Sequence, residues 1–496
     1  MKLHDVLQSA GVPNQVTGPR DVSLTDLVCD SRAVTPGSAF VAIRGFHVDG
    51  HDYIAPAMSQ GASAIFAETM PPADLEEHVA WVRVTSTDDA LGHLAAAFHG
   101  HPSERIEVMA VTGTNGKTTV SWLVEAILKH AGHRTGLVGT IETHIGEQVE
   151  PAVFTTPFGD EMQRLLGRMR DAECSHAILE ASSHGLKQDR VAGVRIAAAG
   201  FTNLSRDHLD FHLTMDDYQA SKKRLFSHYA LAAAINIDDP VGAAFADDFD
   251  GPLLRLSVEG DTSADVIVTE LTCELDGCRA VVETPDGVVN LNLDLVGKHN
   301  VENALVALGM CRLVGVPFAV GAKALSSGAR VPGRLERVDG PRAVLVDYAH
   351  TPDALINVLQ GLRPMVSGRL ICVFGAGGNR DAGKRAHMGA AVERYADLPV
   401  VTSDNPRTEV PEAIVEAILS GMAPEGQRIV EVDRRMAIEQ AIYIATPDDL
   451  VLIAGKGHET YQVIGTTKYE FDDRTVAKGA MSQLAQGTAT LAGGAA

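Results

Sequence analysis

The distribution of apolar residues along the chain predicts repeated units of a buried strand followed by a helix. The run from Ile106 to Val111 is mainly apolar, as expected for a buried strand. After a polar turn, apolar residues recur at the spacing of one helical face: Val120, Leu123, Val124, Ile127 and Leu128. This segment is therefore predicted to form a strand, a turn and a helix.

The same pattern predicts strands in three successive groups. They cover residues 39–43, 64–67 and 81–84, then 106–111, 135–138, 177–180 and 196–201, and finally 343–346, 370–374, 399–402 and 450–453. Helical patterns separate these strands, and such alternation is typical of mostly parallel sheets. We therefore predict an α/β protein with domains at residues 1–103, 104–330 and 331–482. Residues 483–496 lack an apolar face and are expected to form a disordered tail.

Composition and charge narrow the function classes. The 496 residues suffice for several domains, and the net charge of −22 argues against nucleic-acid binding, which needs concentrated Lys and Arg. The start of the chain lacks a basic segment followed by an apolar one, and no run of about 18 apolar residues occurs. We expect a cytoplasmic protein that does not span a membrane.

The cysteines indicate neither a zinc site nor a disulfide framework. They are scattered and form no Cys-x-x-Cys pair: Cys29, Cys174, Cys273, Cys278, Cys311 and Cys372. Reduced and mostly buried thiols are therefore expected.

The turn between the first central strand and its helix has the chemistry of a phosphate-binding loop. Its sequence runs from Gly113 through Gly116, Lys117 and Thr118 to Thr119. Backbone N–H groups at a helix N-terminus favour an anion, a lysine reaches phosphate oxygens and a hydroxyl can ligate Mg²⁺. The usual glycine five residues before the Gly-Lys pair is replaced by Val111, so an accidental glycine turn is the alternative. The predicted ligand is a nucleoside triphosphate.

Polar side chains follow the ends of two more central strands. Glu180 ends the strand at 177–180, and the segment 202–210, with His208, follows the strand at 196–201. The carboxyl ends of parallel strands face a common ligand crevice, so Glu180 is expected near Thr118. Taken alone, either residue would more often belong to an ordinary loop.

Strand ends in the third group carry similar chemistry. Polar or glycine-rich loops follow all four of its predicted strands: 347–353, 375–385, 403–407 and 454–459. Their convergence on one edge predicts a second ligand crevice, with purely structural loops as the alternative. Asn300 and Asn303 lie one helical turn apart and suit an adenine edge, although capping explains them about as well.

Together these motifs resemble the Mur ligases, ATP-dependent enzymes that add amino acids during peptidoglycan synthesis. The resemblance covers about residues 25–475 and rests on segments 30–32, 113–119, 180–185, 202–210, 347–353, 404–407 and 455–459. It is greatest for the members that add meso-diaminopimelate to UDP-N-acetylmuramoyl-L-alanyl-D-glutamate. It implies an N-terminal UDP-binding domain, a central P-loop ATPase-like domain and a C-terminal Rossmann-like domain.

The resemblance also implies roles for individual residues. The UDP-muramoyl-dipeptide would be bound by Cys29, Ser31, Phe46, His47, Val48, Thr155, Thr156, Ser182, Gln188 and Arg190. ATP would be bound by Gly113, Thr114, Asn115, Gly116, Lys117, Thr118, Thr119, Asn300, Asn303, Arg334 and Asp347. Diaminopimelate would be bound by Arg380, Asp404, Asn405, Pro406, Arg407, Gly455 and Glu459.

The implied catalytic residues are Lys117, Glu180, His208 and Lys222, and the implied Mg²⁺ ligands are Thr118, Glu180, His208 and Lys222. Lys222 would react with CO₂ and bind the metal as a carbamate (N6-carboxylysine). The spacing Tyr218-x-Ala-x-Lys222 selects it over Lys223, although either lysine taken alone would be a surface cation. The oxygen ligands that a carbamate offers suit Mg²⁺.

The choice of amino acid has a physical reason within this resemblance. An Arg407 fork could hold the second carboxylate of diaminopimelate, while Glu459 meets its distal ammonium. Lysine lacks that carboxylate and would leave Arg407 without its anion. The expected reaction forms an amide through an acyl phosphate, with His184, His208 and His350 as open candidates for a base.

Four alternatives remain at this stage. They are a Mur ligase for another amino acid, a folylpolyglutamate synthetase, a P-loop switch or motor ATPase, and a non-catalytic nucleotide-binding protein. The first-domain motifs and the Asp-Asn-Pro-Arg segment at 404–407 disfavour the first two. The short phosphate loop and the missing Walker B run disfavour the third. The intact Lys117, Thr118, Glu180 and Lys222 disfavour the last of these. Only small-molecule partners and a monomer are expected.

Overall fold

The computed structural model describes residues 1–45, 48–73 and 75–487. Phe46 and His47, two of the predicted nucleotide-binding residues, lie outside these ranges. The chain divides into two compact units. The first comprises residues 1–268, 283–289 and 302–324, and the second comprises 269–282, 290–301 and the described residues from Leu325 onward.

The N-terminal part of the first unit is a five-stranded sheet with helices on both faces. Its strands are β1 (Asn14–Thr17), β2 (Leu27–Val28), β3 (Ala39–Val41), β4 (Ala64–Ala67) and β5 (Ala80–Val84), and its helices are α1 (Leu3–Ala10), α2 (Ile54–Ser59) and α3 (Thr87–Phe98). The order is β1-β5-β4-β3-β2, parallel except for β1. Apolar side chains cover both faces, with Val41 and Phe66 on one and Phe40 and Ile65 on the other.

The central part of the first unit is a larger sheet built around β6, and its strand β14 belongs to this unit only as far as Val268. Its elements are β6 (Glu107–Thr112), α4 (Lys117–His130), β7 (Thr135–Val138), β8 (Glu142–Ile145), β9 (Gln148–Pro151), α5 (Gly159–Asp171), β10 (His176–Glu180), α6 (Ser183–Lys187), β11 (Ile196–Phe201), α7 (Leu209–His212), α8 (Met215–Arg224), β12 (Ala233–Asn236), α9 (Pro240–Asp247), β13 (Leu253–Ser257) and β14 (Val266–Glu274). A π-helical turn at Leu225–Tyr229 follows α8.

Strand order places the phosphate turn in the middle of this sheet. The order is β9-β8-β7-β10-β6-β11-β12-β13-β14, with β8 and β9 antiparallel and the remainder parallel. The two neighbours of β6 are β10 and β11, so their ends lie beside the turn that follows β6. The segments predicted to share one crevice are therefore adjacent in the fold.

The next elements contribute residues to both units. They are β15 (Gly277–Thr284), β16 (Gly287–Leu293), α10 (Lys298–Leu313) and α11 (Phe318–Leu325). Here the expectation of reduced thiols was wrong for two cysteines, because Cys273 and Cys278 form a disulfide. The tight turn between β14 and β15 places them on adjacent strands with their Cα atoms 4.2 Å apart. The other four cysteines are free, and three of them are buried.

The second unit contains a further doubly covered sheet. Its elements are β17 (Glu336–Arg337), β18 (Ala343–Asp347), α12 (Pro352–Leu362), β19 (Leu370–Phe374), α13 (Lys384–Tyr395), β20 (Leu398–Val401), α14 (Pro411–Leu419), β21 (Ile429–Val430), α15 (Arg434–Ile444), β22 (Leu450–Ala454), β23 (Tyr461–Ile464), β24 (Thr467–Glu470) and α16 (Asp473–Ala485). The order is β17-β18-β22-β19-β20-β21, parallel except for β17, while β23 and β24 form a separate hairpin.

The predicted α/β class with mostly parallel sheets is confirmed. The structure differs from the expected tail because α16 continues to Ala485, three residues into the predicted disordered segment. Val476, Ala477, Ala480 and Met481 bury one face of this helix, and their spacing is helical. Residues 488–496 lie outside the described part of the chain. Across the described ranges, no helix is both long and apolar enough to cross a membrane.

Candidate active site

The phosphate turn joins β6 to α4 through two glycines with positive φ. Gly116, at φ +89°, precedes the first helical residue, Lys117. A side chain at Gly113 would overlap the Thr202 hydroxyl, and one at Gly116 would overlap the side-chain oxygen of Asn303. Only glycine fits at either position, so the backbone N–H groups of the turn can approach a ligand closely.

Two lysine ammonium groups converge on this turn. Lys117 Nζ donates to the carbonyl oxygens of Gly113, at 2.9 Å, and Thr114, at 2.8 Å. Lys222 Nζ, on α8, donates to the same Gly113 oxygen at 2.7 Å. Lys222 is only 1% exposed. Burial and then the positive charge of Lys117 hold the pKa of Lys222 well below its usual range.

Glu180 connects the phosphate turn to the neighbouring strand end. Its carboxylate is fully buried and accepts hydrogen bonds from the Thr118 hydroxyl at 2.9 Å and the Thr140 hydroxyl at 2.9 Å, both to Oε2. Oε1 accepts from the Thr140 backbone N–H at 3.0 Å. The structure therefore brings Thr118 and Glu180 together, as expected from their positions at adjacent strand ends.

Most of the residues predicted to bind the dipeptide lie on the other side of Glu180. Thr155 Oγ1 is 3.1 Å from Thr140 Oγ1, and Thr156 Oγ1 donates to the Glu180 carbonyl at 2.7 Å. Thr156 Oγ1 also accepts from the Ser182 N–H at 3.0 Å. A chain of hydrogen bonds thus runs from Thr118 through Glu180 and Thr140 to Thr155.

Arg190 and Gln188 lie beside these threonines. Arg190 donates to the Thr156 carbonyl at 2.8 Å, and its guanidinium lies 3.9 Å from the Phe158 ring centre. Within the described residues, buried Gln188 Oε1 and Arg190 Nε have no hydrogen-bond partner. Buried polar atoms without partners are costly in the absence of a ligand, so both atoms fit a polar ligand.

Histidines form a cluster next to the turn. His208 has φ +53° and lies 4.9 Å from the His184 ring, which also stacks on Phe211 at 4.0 Å. Burial, followed by the charges of neighbouring histidines, lowers the pKa of His184 to about 4. Desolvation also lowers the pKa of His208, with further contributions from the two lysines at the turn. Both imidazoles are therefore neutral near pH 7.

The first-domain residues predicted to bind the nucleotide differ in burial and local structure. Cys29 is half-buried, its N–H donates to Asp160 Oδ2 at 2.9 Å, and burial and Asp160 raise the pKa of its thiol. Ser31 begins a short 3₁₀ turn capped by Asp30. Val48 is exposed.

Other predicted nucleotide contacts belong to the second unit. Asn300 donates to the Val296 carbonyl at 2.8 Å. The Asp347 carboxylate accepts from the N–H groups of Leu335 and Ala349, both at 2.8 Å, and so fixes the turn after β18. The guanidinium of Arg334 lies 4.8 Å from the Tyr348 ring centre, forming a cationic and aromatic surface.

The loops after β20 and β22 build the polar centre of the predicted amino-acid pocket. Asn405 Nδ2 donates to Glu459 Oε2 at 2.8 Å. Lys456, which is fully buried, donates to Asn405 Oδ1 at 3.1 Å and to Glu459 Oε2 at 3.0 Å. The backbone N–H of Val463, on β23, also donates to Asn405 Oδ1 at 2.9 Å.

Two arginines flank the loop after β19. Arg407 donates to the Gly378 carbonyl at 2.8 Å, and both Arg407 and Arg380 lie against Gly377. Arg380 is exposed and Arg407 is half-buried. Arg407 has φ +53°, and its backbone is paired with the hairpin through bonds to Val463, at 3.0 Å, and Gly465, at 2.7 Å.

The remaining predicted pocket residues shape this loop. The backbone oxygen of Asp404 accepts from Gln462 Nε2 at 2.6 Å, and Asp404, Asn405 and Pro406 are buried. Gly455, at φ +115°, lies directly against the Asp404 carboxylate.

Sequence reasoning missed two residues of these arrangements. Thr140 links Glu180 to Thr155, and it lies two residues after the end of the correctly predicted strand β7, so its position near a strand end was the available signal. Lys456 was noticed within the Gly455–Glu459 loop, but its burial and its two partners depend on tertiary packing. No local pattern carries that information.

The donor set near the phosphate turn fits Mg²⁺. Glu180, Thr118 and Thr140 offer carboxylate and hydroxyl oxygens, which a small hard cation prefers. Among the described residues, no group of three or more His, Cys, Asp or Glu side chains is arranged to hold a metal ion.

Comparison with known protein families gives three matches in chain order. A Mur ligase family catalytic domain matches residues 24–99, a Mur ligase middle domain matches residues 111–311, and a Mur ligase glutamate ligase domain matches residues 333–457.

Curated relatives are similar over nearly the whole chain. A UDP-N-acetylmuramoyl-L-alanyl-D-glutamate–2,6-diaminopimelate ligase of Gloeobacter violaceus is 43% identical, over 97% of this chain and 98% of the relative. The ligase of that name from Clostridioides difficile is 39% identical, over 98% of this chain and 100% of the relative. A solved structure of a ligase of that name has a TM-score of 0.72 and 31% identity, covering 98% of this chain and 99% of the other.

Proposed function

The chain belongs to the Mur ligase family, and on that premise we propose that it joins meso-diaminopimelate to UDP-N-acetylmuramoyl-L-alanyl-D-glutamate. The reaction consumes ATP and supplies a tripeptide precursor of peptidoglycan. The relatives that carry this activity in their names cover almost the full chain at about two-fifths identity. All three Mur ligase family domains are matched in this chain.

The observation that carries the proposal is the hydrogen-bond chain from Thr118 through Glu180 and Thr140 to Thr155. It places the phosphate turn and the predicted dipeptide residues on the two sides of one buried carboxylate. A phosphoryl transfer needs donor and acceptor oxygens held close together and in line. A switch or motor ATPase would not need a second group of polar ligand-binding residues, such as Thr155 and Thr156, beside the phosphate turn.

ATP binding is assigned to the turn and its surroundings. The N–H groups of Gly113–Thr119 and the ammonium of Lys117 would hold the phosphates. Asn300, Asn303, Arg334 and Asp347 are retained as adenine and ribose contacts. Thr118, Glu180, His208 and Lys222 would hold Mg²⁺, which when bound offsets negative charge on the phosphoryl oxygens.

Carbamylation of Lys222 is part of the proposal. Attack on CO₂ requires an uncharged amine, and Lys222 is buried beside another ammonium group. The lowered pKa of Lys222 increases the uncharged fraction. The carbamate would place an anion next to Lys117 and present oxygen ligands in place of an amine.

The amino-acid pocket is assigned to the second unit. Arg407 and Arg380 would hold the distal carboxylate of diaminopimelate, and Glu459 would accept a hydrogen bond from its distal ammonium. Asp404, Asn405, Pro406 and Gly455 shape the pocket around these groups. Cys29, Ser31, Phe46, His47 and Val48 are retained for the uridine end of the other substrate, and Thr155, Thr156, Ser182, Gln188 and Arg190 for its dipeptide.

The reaction follows in two steps. A γ-carboxylate oxygen of D-glutamate attacks the γ-phosphorus of ATP, so an acyl phosphate forms and ADP leaves. The amine of diaminopimelate then attacks the acyl carbon, the C–O bond to phosphate breaks and the amine loses a proton. Lys117 stabilises charge on the transferred phosphoryl group. His184, His208 and His350 stay candidates for the proton acceptor.

Phosphate release tests the proposal directly. We expect release only when ATP, the UDP-muramoyl-dipeptide and diaminopimelate are all present, and much slower release with L-lysine. Steady ATP hydrolysis without the dipeptide would instead indicate a switch or motor ATPase. Turnover with a folate and glutamate would indicate a folylpolyglutamate synthetase. Equal rates with lysine and diaminopimelate would remove the role given to Arg407.

The proposal also bears on subcellular localisation and oligomeric state. The reaction uses ATP and a nucleotide-linked precursor, so we infer that it takes place in the cytoplasm. We also infer that the protein acts as a monomer, as expected from the sequence.

A further inference from the structure

We propose that Lys456 determines amino-acid specificity by setting the net charge of the pocket around Glu459. The inference rests on the proposed function, because it concerns how that pocket distinguishes diaminopimelate from lysine. It adds a residue that was not among the predicted ligands.

The position of Lys456 is unusual for a lysine. Its side chain is fully buried, and its ammonium donates to Asn405 Oδ1 at 3.1 Å and to Glu459 Oε2 at 3.0 Å. A buried ammonium is costly unless it is paired and hydrogen-bonded. Both partners belong to the predicted pocket, so Lys456 fixes two pocket side chains at once.

The arrangement also controls which Glu459 oxygen is available. Oε2 accepts from both Lys456 and Asn405. Among the described residues no hydrogen bond to Oε1 is formed, and Glu459 itself is half-buried. The carboxylate therefore presents one oxygen to a ligand ammonium while the other is held by the protein.

Within the Asp404–Arg407 and Gly455–Glu459 loops the acidic and basic side chains balance before any ligand binds, whereas Arg380, on the loop after β19, is exposed and its charge is screened by water. Asp404 and Glu459 are acidic, and the Asp404 carboxylate lies 2.7 Å from where a side-chain carbon at Gly455 would be. Lys456 and Arg407 are basic and belong to the same loops. The nearby guanidinium of Arg434 is already paired with Asp473 at 2.7 Å, and both side chains are fully buried.

This balance favours one ligand class over the other. The distal end of diaminopimelate carries an ammonium and a carboxylate, so its binding leaves the pocket charge unchanged. The distal end of lysine carries an ammonium alone and adds one uncompensated positive charge in a largely buried place. Without Lys456 the two loops at Asp404–Arg407 and Gly455–Glu459 would carry a net negative charge and would suit a lone ammonium.

The test compares kcat/KM for diaminopimelate and for L-lysine in Lys456→Met and Lys456→Gln. Methionine retains the approximate length of the lysine side chain without its charge. Glutamine is shorter, but it retains a hydrogen-bond donor without the charge. We expect the preference for diaminopimelate to fall about tenfold or more in both, with the KM for ATP unchanged. The matched control is Lys468→Met, because Lys468 is exposed and stacks on the Tyr461 ring at 4.2 Å, a ring that Lys456 also faces at 5.6 Å.

A purely structural role predicts a different result. It would lower the thermal midpoint of unfolding and both activities together, with the ratio between the amino acids unchanged, and that outcome would overturn the inference. If neither Lys456 variant folds, Glu459→Gln tests the inference instead. It leaves Lys456 uncompensated and should increase the preference for diaminopimelate, and a decrease would overturn the inference. Absence of diaminopimelate-dependent turnover in the unmodified protein would instead refute the proposed function.

Discussion

Two buried lysines show how differently one residue type is used in the two units. Lys222 lies beside another ammonium and donates to a carbonyl oxygen, whereas Lys456 donates to a carboxylate and an amide. Burial and a like charge lower the pKa of Lys222. Lys456 has an anionic partner within the protein.

The difference separates a reactive lysine from one that positions its neighbours. Lys222 is placed where its neutral form is favoured and where an added anion would be stabilised by Lys117. Lys456 is placed where its charge is already used by the protein. Burial alone therefore does not indicate the role of a lysine. The sign of the nearest charge distinguishes the two roles.

The largest effect is expected from removing the reactive lysine. Lys222→Ala should lower kcat for ligation by about 10²–10³-fold, because the proposed carbamate ligand and its charge would be lost from the proposed phosphoryl-transfer site. Added short-chain carboxylates should restore part of the activity by occupying the vacated volume. The measurement is phosphate release under saturating substrates.

Lys223→Ala is the matched control for that variant. Lys223 is the next residue, but it bonds to the surface residue Asp248 at 2.6 Å. Its loss should leave ligation nearly unchanged. Equal losses in the two variants, or no response of Lys222→Ala to carboxylates, would contradict the distinction between Lys222 and the surrounding lysines.

An intermediate effect is expected at Thr140, which joins the phosphate turn to the dipeptide cradle. Thr140→Val removes the hydroxyl between Glu180 and Thr155 but retains the shape of the side chain. We expect kcat/KM for the UDP-dipeptide to fall about tenfold to thirtyfold, because the hydrogen bonds to Glu180 and to Thr155 are both lost. Thr140→Ser should be close to the unmodified protein. A loss confined to the KM for diaminopimelate would argue against this linkage.

The smallest effect concerns another buried basic residue, His144, which extends the comparison to stability. Its Nδ1 lies 2.9 Å from Glu125 Oε1 and its Nε2 lies 3.1 Å from Glu142 Oε2, and Lys129 also bonds Glu125 at 3.0 Å. Burial by itself lowers the pKa of His144, but the two carboxylates outweigh it and raise that pKa. The contact ties β8 to the helix that follows the phosphate turn.

Because the folded-state pKa of His144 is raised, its contribution to stability is largest below the unfolded pKa of about 6.5. The contribution is lost as the pH rises through the folded pKa. His144→Gln should therefore lower the free energy of unfolding by about 1–3 kcal/mol near pH 6 and by less near pH 9. Thermal unfolding of the variant and the unmodified protein measured across this pH range checks the prediction. A stability difference that does not change with pH would exclude an ion pair between His144 and the glutamates.

The fold was largely predictable because its strands are apolar on both faces. The strands at 64–67, 135–138, 196–201 and 370–374 have the predicted bounds. Short edge strands such as β1 and β17 were missed because they are partly exposed and lack an apolar run. The Cys273–Cys278 disulfide was missed because it depends on a hairpin within a polar stretch, where the cysteine spacing alone carries no signal.

The site was predictable only as far as strand ends determine it. Thr118 and Glu180 meet because β6 and β10 are neighbours, which follows from parallel topology. The geometry of Lys222 required tertiary structure, since α8 reaches the turn across a long stretch of chain. The roles of these residues stay predictions until the variants above are measured.

The hairpin formed by β23 and β24 has a consequence for how substrate choice could be altered. The left-handed backbone at Arg407 is fixed by its pairing with the strand at 461–464, and that strand returns through a two-residue turn at Gly465. The reach of the Arg407 guanidinium thus depends on the length of a surface turn. We therefore expect insertions in this turn to change substrate preference by moving Arg407, without replacing any residue predicted to contact the ligand.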